Sequence, residues 1–402
     1  MSFQFAHSSA MPEPQISLDA LYDVDGMVAV VTGGGTGIGL MMAKALEHHG
    51  ATVYILGRRL DKLKAAAAEH NTHGKLLPLV CDVTSQSDLL AAVSAVQARH
   101  GHINLLINNA GIAKNLLPSN LALTPPPPPP QPATTTSPTH LAPPPPPPQQ
   151  QQCAPTSGRR IQYPTPDATP DVSPTASPKT RHHDLYSDRC ADSDSENRAS
   201  SSSSSSAAAP SSPGGSGAPP SGNNDPAAAA IETLRTQLWS SGTQDDFQDS
   251  FAVNVTAPYY ASVAFLGLLH AGNGSEWARR TGVSSQVITV SSGGGFRRDA
   301  RVFSLSYTLS KAAAIHLGKL LANVLAGWGI RSNVVCPGVY PSEMTAFMTP
   351  AQVAAGCPMG RAGDLQDMAG LVLFMAGRAG AYVNGSVQLT DGGRLGMFSA
   401  TY

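Results

Sequence analysis

Between Asn115 and Ala230 the chain carries 26 of its 34 prolines, a serine homopolymer at Ser200–Ser206 and just two aromatic residues, Tyr163 and Tyr186. A segment so poor in large apolar side chains cannot offset its own ordering entropy, so it is expected to be disordered and to stay outside any packed core. Hexaproline runs starting at Pro125 and Pro143 favour stiff polyproline II, whereas the serine-, glycine- and asparagine-rich run after Ser211 favours coil. Removing these 116 residues from 402 leaves 286, enough for one sizeable α/β domain assembled from two separated segments. The expected organisation is an amino-terminal extension (1–24), a first half-domain (25–114), the low-complexity insertion (115–230) and a second half-domain (231–402).

The flanking segments alternate short β-rich runs with helical patterns. MVAVVTGG, ATVYIL, KLLPLVCDV and INLLINNAG read as strands before the insertion; SQVITVSS, IRSNVVCPG and SVQLTDGG follow it. Between them lie helical runs such as GLMMAKALEHHG and SYTLSKAAAIHLGKLLANVLAGWG, and a long helix or helix pair is expected from Thr243 to Gly272. Near-continuous apolar strands separated by helices predict a Rossmann-like, doubly wound parallel sheet covered on both faces. The insertion follows the fourth strand, at the carboxyl edge where open α/β sheets bind their ligands.

Charge is balanced, with 26 basic and 27 acidic residues, which argues against nucleic acid or an anionic membrane as the main partner. Five widely spaced cysteines form no CxxC pair or Cys/His cluster, and His270 and His316 have no second ligand at metal spacing, so no metal site is expected. The amino terminus has neither a basic start nor an apolar run, and no stretch is apolar enough to span a membrane. A cytoplasmic location is the expectation.

The first strand runs into Thr32-Gly33-Gly34-Gly35-Thr36-Gly37-Ile38-Gly39, directly before a helix. Glycines there let the backbone approach a pyrophosphate, whose charge is met by free N–H groups at the helix start. An NAD enzyme of this kind has a carboxylate at the end of the second strand for the ribose hydroxyls. No acidic residue occurs from Ala51 to Leu60; Arg58 and Arg59 stand there instead and suit a 2′-phosphate. The expected cofactor is therefore NADP(H) in preference to NAD(H). In the second half, Tyr307 and Lys311 sit one helical turn apart, and Ser292 lies fifteen positions before the tyrosine at the end of the fifth strand. A phenol is a poor base at neutral pH unless a neighbouring cation favours the phenolate.

Together, TGGGTGIG at Thr32, NNAG at Asn108, NVT at Asn254, VSS ending at Ser292, YTLSK at Tyr307, PGVYPS at Pro337 and VNGSVQLTDGG at Val383 resemble the short-chain dehydrogenase/reductase family, in the family's order. The resemblance implies that Tyr307 is the general acid for carbonyl reduction and the base for alcohol oxidation. It further implies that Lys311 binds the nicotinamide ribose and lowers the tyrosine pKa, that Ser292 polarises the carbonyl, and that Asn254 holds a relay water. Implied for the cofactor are Gly33, Gly35, Thr36, Gly37, Ile38 and Gly39 at the pyrophosphate, with Asp82 and Val83 at the adenine. Asn109, Ala110 and Gly111 are implied on the adenosine ribose side, and Pro337, Gly338 and Ser342 at the carboxamide. A homodimer or homotetramer, paired through the helices around 246–270 and 306–328, is likewise implied.

Besides the insertion, three features depart from the family pattern. The interval from Ser292 to Tyr307 is two residues longer than usual, Asn104 replaces an aspartate, and Ser342 stands where threonine is common. The expected substrate is a small carbonyl or alcohol with an apolar body, of the 3-oxoacyl type or a secondary-metabolite ketone, because Met344, Phe347 and Met348 fall in a lid segment from Glu343 to Pro358. Arg297, Arg298 and Arg301 near the mouth are expected to be solvated in preference to receiving an anionic substrate or an acyl-carrier phosphopantetheine. The alternative reading from another class is a non-catalytic dinucleotide-binding scaffold whose proline-rich insertion recruits partners; an insertion retained from non-coding sequence is a third.

Overall fold

Each expected strand is short, rich in β-branched or leucine side chains, and each one forms. The computed structural model describes residues 16–118, 120–123 and 226–402. The strands β1 (Val28–Thr32), β2 (Thr52–Gly57), β3 (Leu76–Val80), β4 (Leu105–Asn108), β5 (Gln286–Val290), β6 (Arg331–Pro337) and β7 (Val387–Thr390) make one parallel sheet in the order β3-β2-β1-β4-β5-β6-β7. This is the doubly wound, Rossmann-like sheet. Strand order reverses between β1 and β4, and the reversal opens a crevice at their carboxyl ends.

The helices, in chain order, are α1 (Leu18–Leu21), α2 (Gly37–His48), α3 (Leu60–His70), α4 (Gln86–His100), α5 (Pro226–Trp239), α6 (Gln244–Phe251), α7 (Ala257–Ala264), α8 (Leu266–Gly272), α9 (Glu276–Thr281), α10 (Leu305–Ala326), α11 (Pro350–Ala355) and α12 (Leu365–Ala376). Period-two alternation sends Ala29, Val31, Val53 and Ile55 to one face, where α2, α3, α9 and α12 cover them. Val28, Val30, Leu56 and Leu106 point to the other face, against α4, α7, α8 and α10. Burial on both faces explains the nearly unbroken apolar strands.

Both margins of the expected insertion belong to the domain. Leu116 pairs antiparallel with Ser304, Leu117 N–H donates to Phe303 O at 2.8 Å, and Ala122 N–H donates to Gln237 Oε1 at 2.8 Å. On the far side Pro226 opens α5, where the alanine run 227–230 supplies strong helix formers that the proline-rich composition around them masked. The remainder of the insertion, residues 124–225, and the amino-terminal extension as far as residue 15 lie outside the described residues. The long helix or helix pair expected from Thr243 to Gly272 is three helices, with a π-helical turn at Ala252–Thr256 between α6 and α7.

Candidate active site

The glycine-rich turn after β1 is tied to β2 by Gly33 N–H and Gly34 N–H, which donate to Leu56 O at 2.8 and 3.3 Å. Gly37 has φ +54°, a conformation that disfavours a side chain, and starts α2 with its first N–H groups open to the crevice. Gly39 lies beneath the turn: a Cβ there would come within 2.3 Å of Asn109 Nδ2. It packs closely against the turn and is not among the residues that line the cleft beside it. Asn109 locks the same turn, donating from Nδ2 to Thr32 O at 3.0 Å and Gly33 O at 3.2 Å.

A cleft of about 860 Å³ follows the crevice. Of the residues expected at the cofactor, Gly33, Gly35, Thr36, Gly37, Ile38, Arg58, Arg59, Asp82, Val83, Asn109, Ala110, Gly111, Tyr307, Lys311 and Ser342 line it. Pro337 and Gly338 line a neighbouring cavity instead. A helix start and glycine turn in the middle, arginines at one end and a buried Tyr/Lys pair at the other fit a nicotinamide dinucleotide. The two arginines differ, however. Arg58 is exposed and has no partner among the described residues, whereas Arg59 Nη2 donates to Glu343 Oε2 at 3.0 Å across the cleft. That bond holds Arg59 above its ordinary value and Glu343 below the usual carboxylate range. Asp82 is oriented by Thr84, whose N–H and hydroxyl donate to Asp82 Oδ1 at 2.9 and 2.7 Å.

Ser304 caps α10, its hydroxyl accepting Tyr307 N–H at 3.1 Å, and so fixes Tyr307 in the helix's first turn. Lys311 follows one turn later; its Nζ donates to Val290 O at 3.0 Å and stands 5.7 Å from the Tyr307 ring centroid. Ser292 leaves β5 in extended conformation and accepts Gly294 N–H at 3.0 Å. Both Tyr307 and Lys311 are buried, and burial governs their acidity. It pushes the Tyr307 phenol up, opposed by the Ser292 hydroxyl, and brings Lys311 down to about 8. A downward pull on Tyr307 comes from the Ser292 hydroxyl, while the Lys311 ammonium is bonded to Val290 O.

Asn254 sits in the π-helical turn, a local widening that recurs at functional sites. Its amide accepts Ile112 N–H and donates to Ile112 O and Ser310 Oγ, each at 2.9 Å. A Cβ on Gly111 would lie 3.2 Å from both Asn254 Oδ1 and Lys311 Nζ, so the residues flank one point of the backbone. Lys114 strengthens this joint, reaching Asp249 at 2.6 Å and Asp246 at 3.1 Å on α6.

Beside the cleft lies a cavity of about 250 Å³ with Ser292, Tyr307, Pro337 and Gly338 at its inner end. Met344, Phe347 and Met348 line it, as the lid segment predicts, together with Val302, Phe303 and Leu395. Tyr307 lines both spaces. The arginines of the preceding loop are not uniformly solvated: Arg297 is largely buried, bonded to Asp299 and stacked on Phe398, while Arg301 lines the cavity and Arg298 is exposed.

Sequence reasoning assigned no role to three residues. Glu343 meets Arg59 from 284 positions away. Arg394 joins the cavity wall from the turn after β7, and neither had a local signal. Asn104 proves to be a brace: Oδ1 accepts Val28 N–H at 3.1 Å while Nδ2 donates to Gly272 O and Ser275 Oγ at 3.0 and 2.9 Å. An amide can do both at once; the aspartate of the family pattern cannot when ionised.

Two family models cover the described domain. One described as short chain dehydrogenase matches residues 27–123, and one described as enoyl-(acyl carrier protein) reductase matches residues 226–394. The short-chain dehydrogenase/reductase VdtF of Byssochlamys spectabilis is 33% identical over 408 residues, covering 96% of this chain and 98% of that protein. The short-chain dehydrogenase/reductase PhomF of Diaporthe leptostromiformis is 32% identical over 403 residues, covering 98% and 100%. Among solved structures, the Pseudomonas aeruginosa RhlG/NADP active-site complex has the same fold, with a TM-score of 0.58 at 21% identity, covering 94% of this chain and 99% of that one. The gluconate 5-dehydrogenase of Burkholderia cenocepacia in complex with NADP and tartrate gives 0.56 at 19% identity, with 94% and 98% covered.

Proposed function

Because the chain belongs to the short-chain dehydrogenase/reductase family, oxidoreductases that bind a nicotinamide dinucleotide, we propose that it interconverts a carbonyl and a secondary alcohol with NADP(H), on a substrate with an apolar body. The observation that carries this is Tyr307, a buried phenol standing where the dinucleotide cleft meets the second cavity. When bound, the nicotinamide supplies or takes up the hydride. In reduction the Tyr307 O–H gives its proton to the carbonyl oxygen, and in oxidation the phenolate takes it back. The Ser292 hydroxyl donates to the same oxygen and holds it in place. Lys311, as ammonium, binds the nicotinamide ribose and attracts negative charge toward the phenol. Asn254 braces the segment 111–112 against α10 and keeps Lys311 in register; a relay water at this residue would use the remaining lone pair of Oδ1.

Preference for the 2′-phosphate is supported by the unpaired Arg58, by Arg59 beside it, and by the absence of an acidic residue along β2. A homo-oligomer is supported by the apolar side chains that α7 and α10 leave exposed, among them Tyr259, Tyr260, Val263, Leu320 and Val324. The test of the reaction is a panel of aliphatic and aryl ketones with purified full-length protein, following NADPH and NADH consumption. Turnover with NADPH supports the proposal; nucleotide binding without consumption across the panel would favour a non-catalytic scaffold.

A further inference from the structure

The outer end of the second cavity is assembled from two segments far apart in sequence. The loop between β5 and α10 supplies Arg297 and Arg301, and the segment after β7 supplies Asp391, Arg394 and Phe398. Backbone pairing holds them together: Arg297 and Ala400 form an antiparallel bridge, Arg298 N–H donates to Ser399 O at 2.9 Å, and Thr401 N–H donates to Phe296 O at 2.9 Å. On this frame the Arg297 and Arg394 guanidinium carbons both face the Phe398 ring, 3.7 and 5.4 Å from its centroid.

Two cations sharing one ring in a half-buried wall repel each other as well as losing water, and Arg394 is held below its ordinary value first by burial and then by Arg297. Arg297 is answered by Asp299, to which Nε and Nη2 donate at 2.8 and 2.7 Å. Arg394 donates to a neutral carbonyl, Gly356 O. Asp391 faces the cavity, but its two oxygens accept Gly393 N–H and Leu395 N–H. The Arg301 guanidinium has no hydrogen bond or ion pair among the described residues, although Arg301 lines the cavity. Three cations therefore meet two carboxylates at the mouth. The same cavity also carries the neutral hydroxyls of Ser292 and Tyr307 and the apolar side chains of Val302, Phe303, Met344 and Phe347.

We propose that Arg301 and Arg394 form a subsite for a carboxylate of the substrate, at the opposite end of its apolar body from the reacting carbonyl. A planar guanidinium matches a carboxylate bidentately, and Phe398 already fixes the orientation of Arg394. The inference rests on the carbonyl-substrate reading above and narrows it to keto acids. The two-residue lengthening of the loop from Ser292 to Tyr307 falls on the segment that carries Arg297 and Arg301.

The test uses the full chain with NADP+ bound, so that no reduction occurs, and calorimetry with 4-acetylbenzoate, whose ring separates ketone from carboxylate, and its methyl ester as probes. The acid should bind about tenfold more tightly than the ester, the ratio expected for one charge-assisted contact. Arg301→Gln, at an exposed position, should bring that ratio close to one, while Arg298→Gln, in the same loop but outside the cavity, should leave it intact. Equal binding of acid and ester by the wild type, or a ratio that survives Arg301→Gln, overturns the subsite. Turnover of the same two ketones with NADPH separates the two claims. Acid-selective binding without turnover keeps the subsite and removes the reaction; turnover of both with equal binding does the reverse.

Discussion

Lys311 is the residue on which burial and chemistry pull in opposite directions. Burial brings it down to about 8, whereas its proposed work requires the ammonium. Between about 8 and its ordinary 10.5 the unfolded chain holds a proton that the native chain has released, so stability rises with pH in that window. Activity should do the opposite. We expect kcat/KM for the nucleotide, which reports groups of the free enzyme, to fall as pH rises through about 8, and Lys311→Arg to move that limb upward while lowering the maximum. A profile that stays flat well above pH 9 would mean that the charge on Lys311 is not used. At this scale the residues of the proposed trio could be picked out, because Ser292, Tyr307 and Lys311 stand in short motifs of fixed order, and the structure brings them to the cleft and the cavity beside it. The braces could not be picked out. Asn104, Asn254 and Glu343 act through partners 76 to 284 positions away, and no local pattern announces such a pairing.

Elements were easier to read than their breaks. The seven strands follow from composition alone, since a sheet buried on both faces admits little but apolar side chains. The π-helical turn at Ala252–Thr256 and the helix opening at Pro226 were missed, the first for want of any sequence signal and the second because prolines surround it. The bridge from Arg59, just after β2, to Glu343, just after β6, has a consequence for cofactor choice. Glu343 competes with a 2′-phosphate for the same guanidinium. Fluorescence titration should therefore find NADPH bound more tightly than NADH, with Glu343→Gln widening the gap by no more than about fivefold, as befits an exposed pair. Replacing Arg58 and Arg59 together by alanine should narrow it by about ten to a hundredfold. An unchanged preference in the double variant would assign the discrimination to other residues.

The described residues form one domain, interrupted between residues 123 and 226, and the two family models end and resume at those points. Gln237 joins the margins, accepting Ala122 N–H at 2.8 Å and donating to Asn120 O at 3.2 Å, so the chain's two ends meet across a short gap. Replacing residues 124–225 by a short glycine and serine linker should leave the thermal midpoint and NADPH affinity close to unchanged, because loop length adds only about 0.6 kcal/mol per doubling. A collapse of the fold on that replacement would show that the segment contributes to the domain. The proposed reaction depends most on a single hydroxyl, that of Tyr307. Steady-state reduction of a confirmed ketone by Tyr307→Phe, with NADPH affinity measured on the same preparation, tests it most directly. The proton-donor role predicts that turnover falls to about a hundredth of wild type or less, in line with loss of general acid catalysis, while NADPH binding stays within about threefold. A phenylalanine variant that keeps more than about a tenth of wild-type turnover would contradict it.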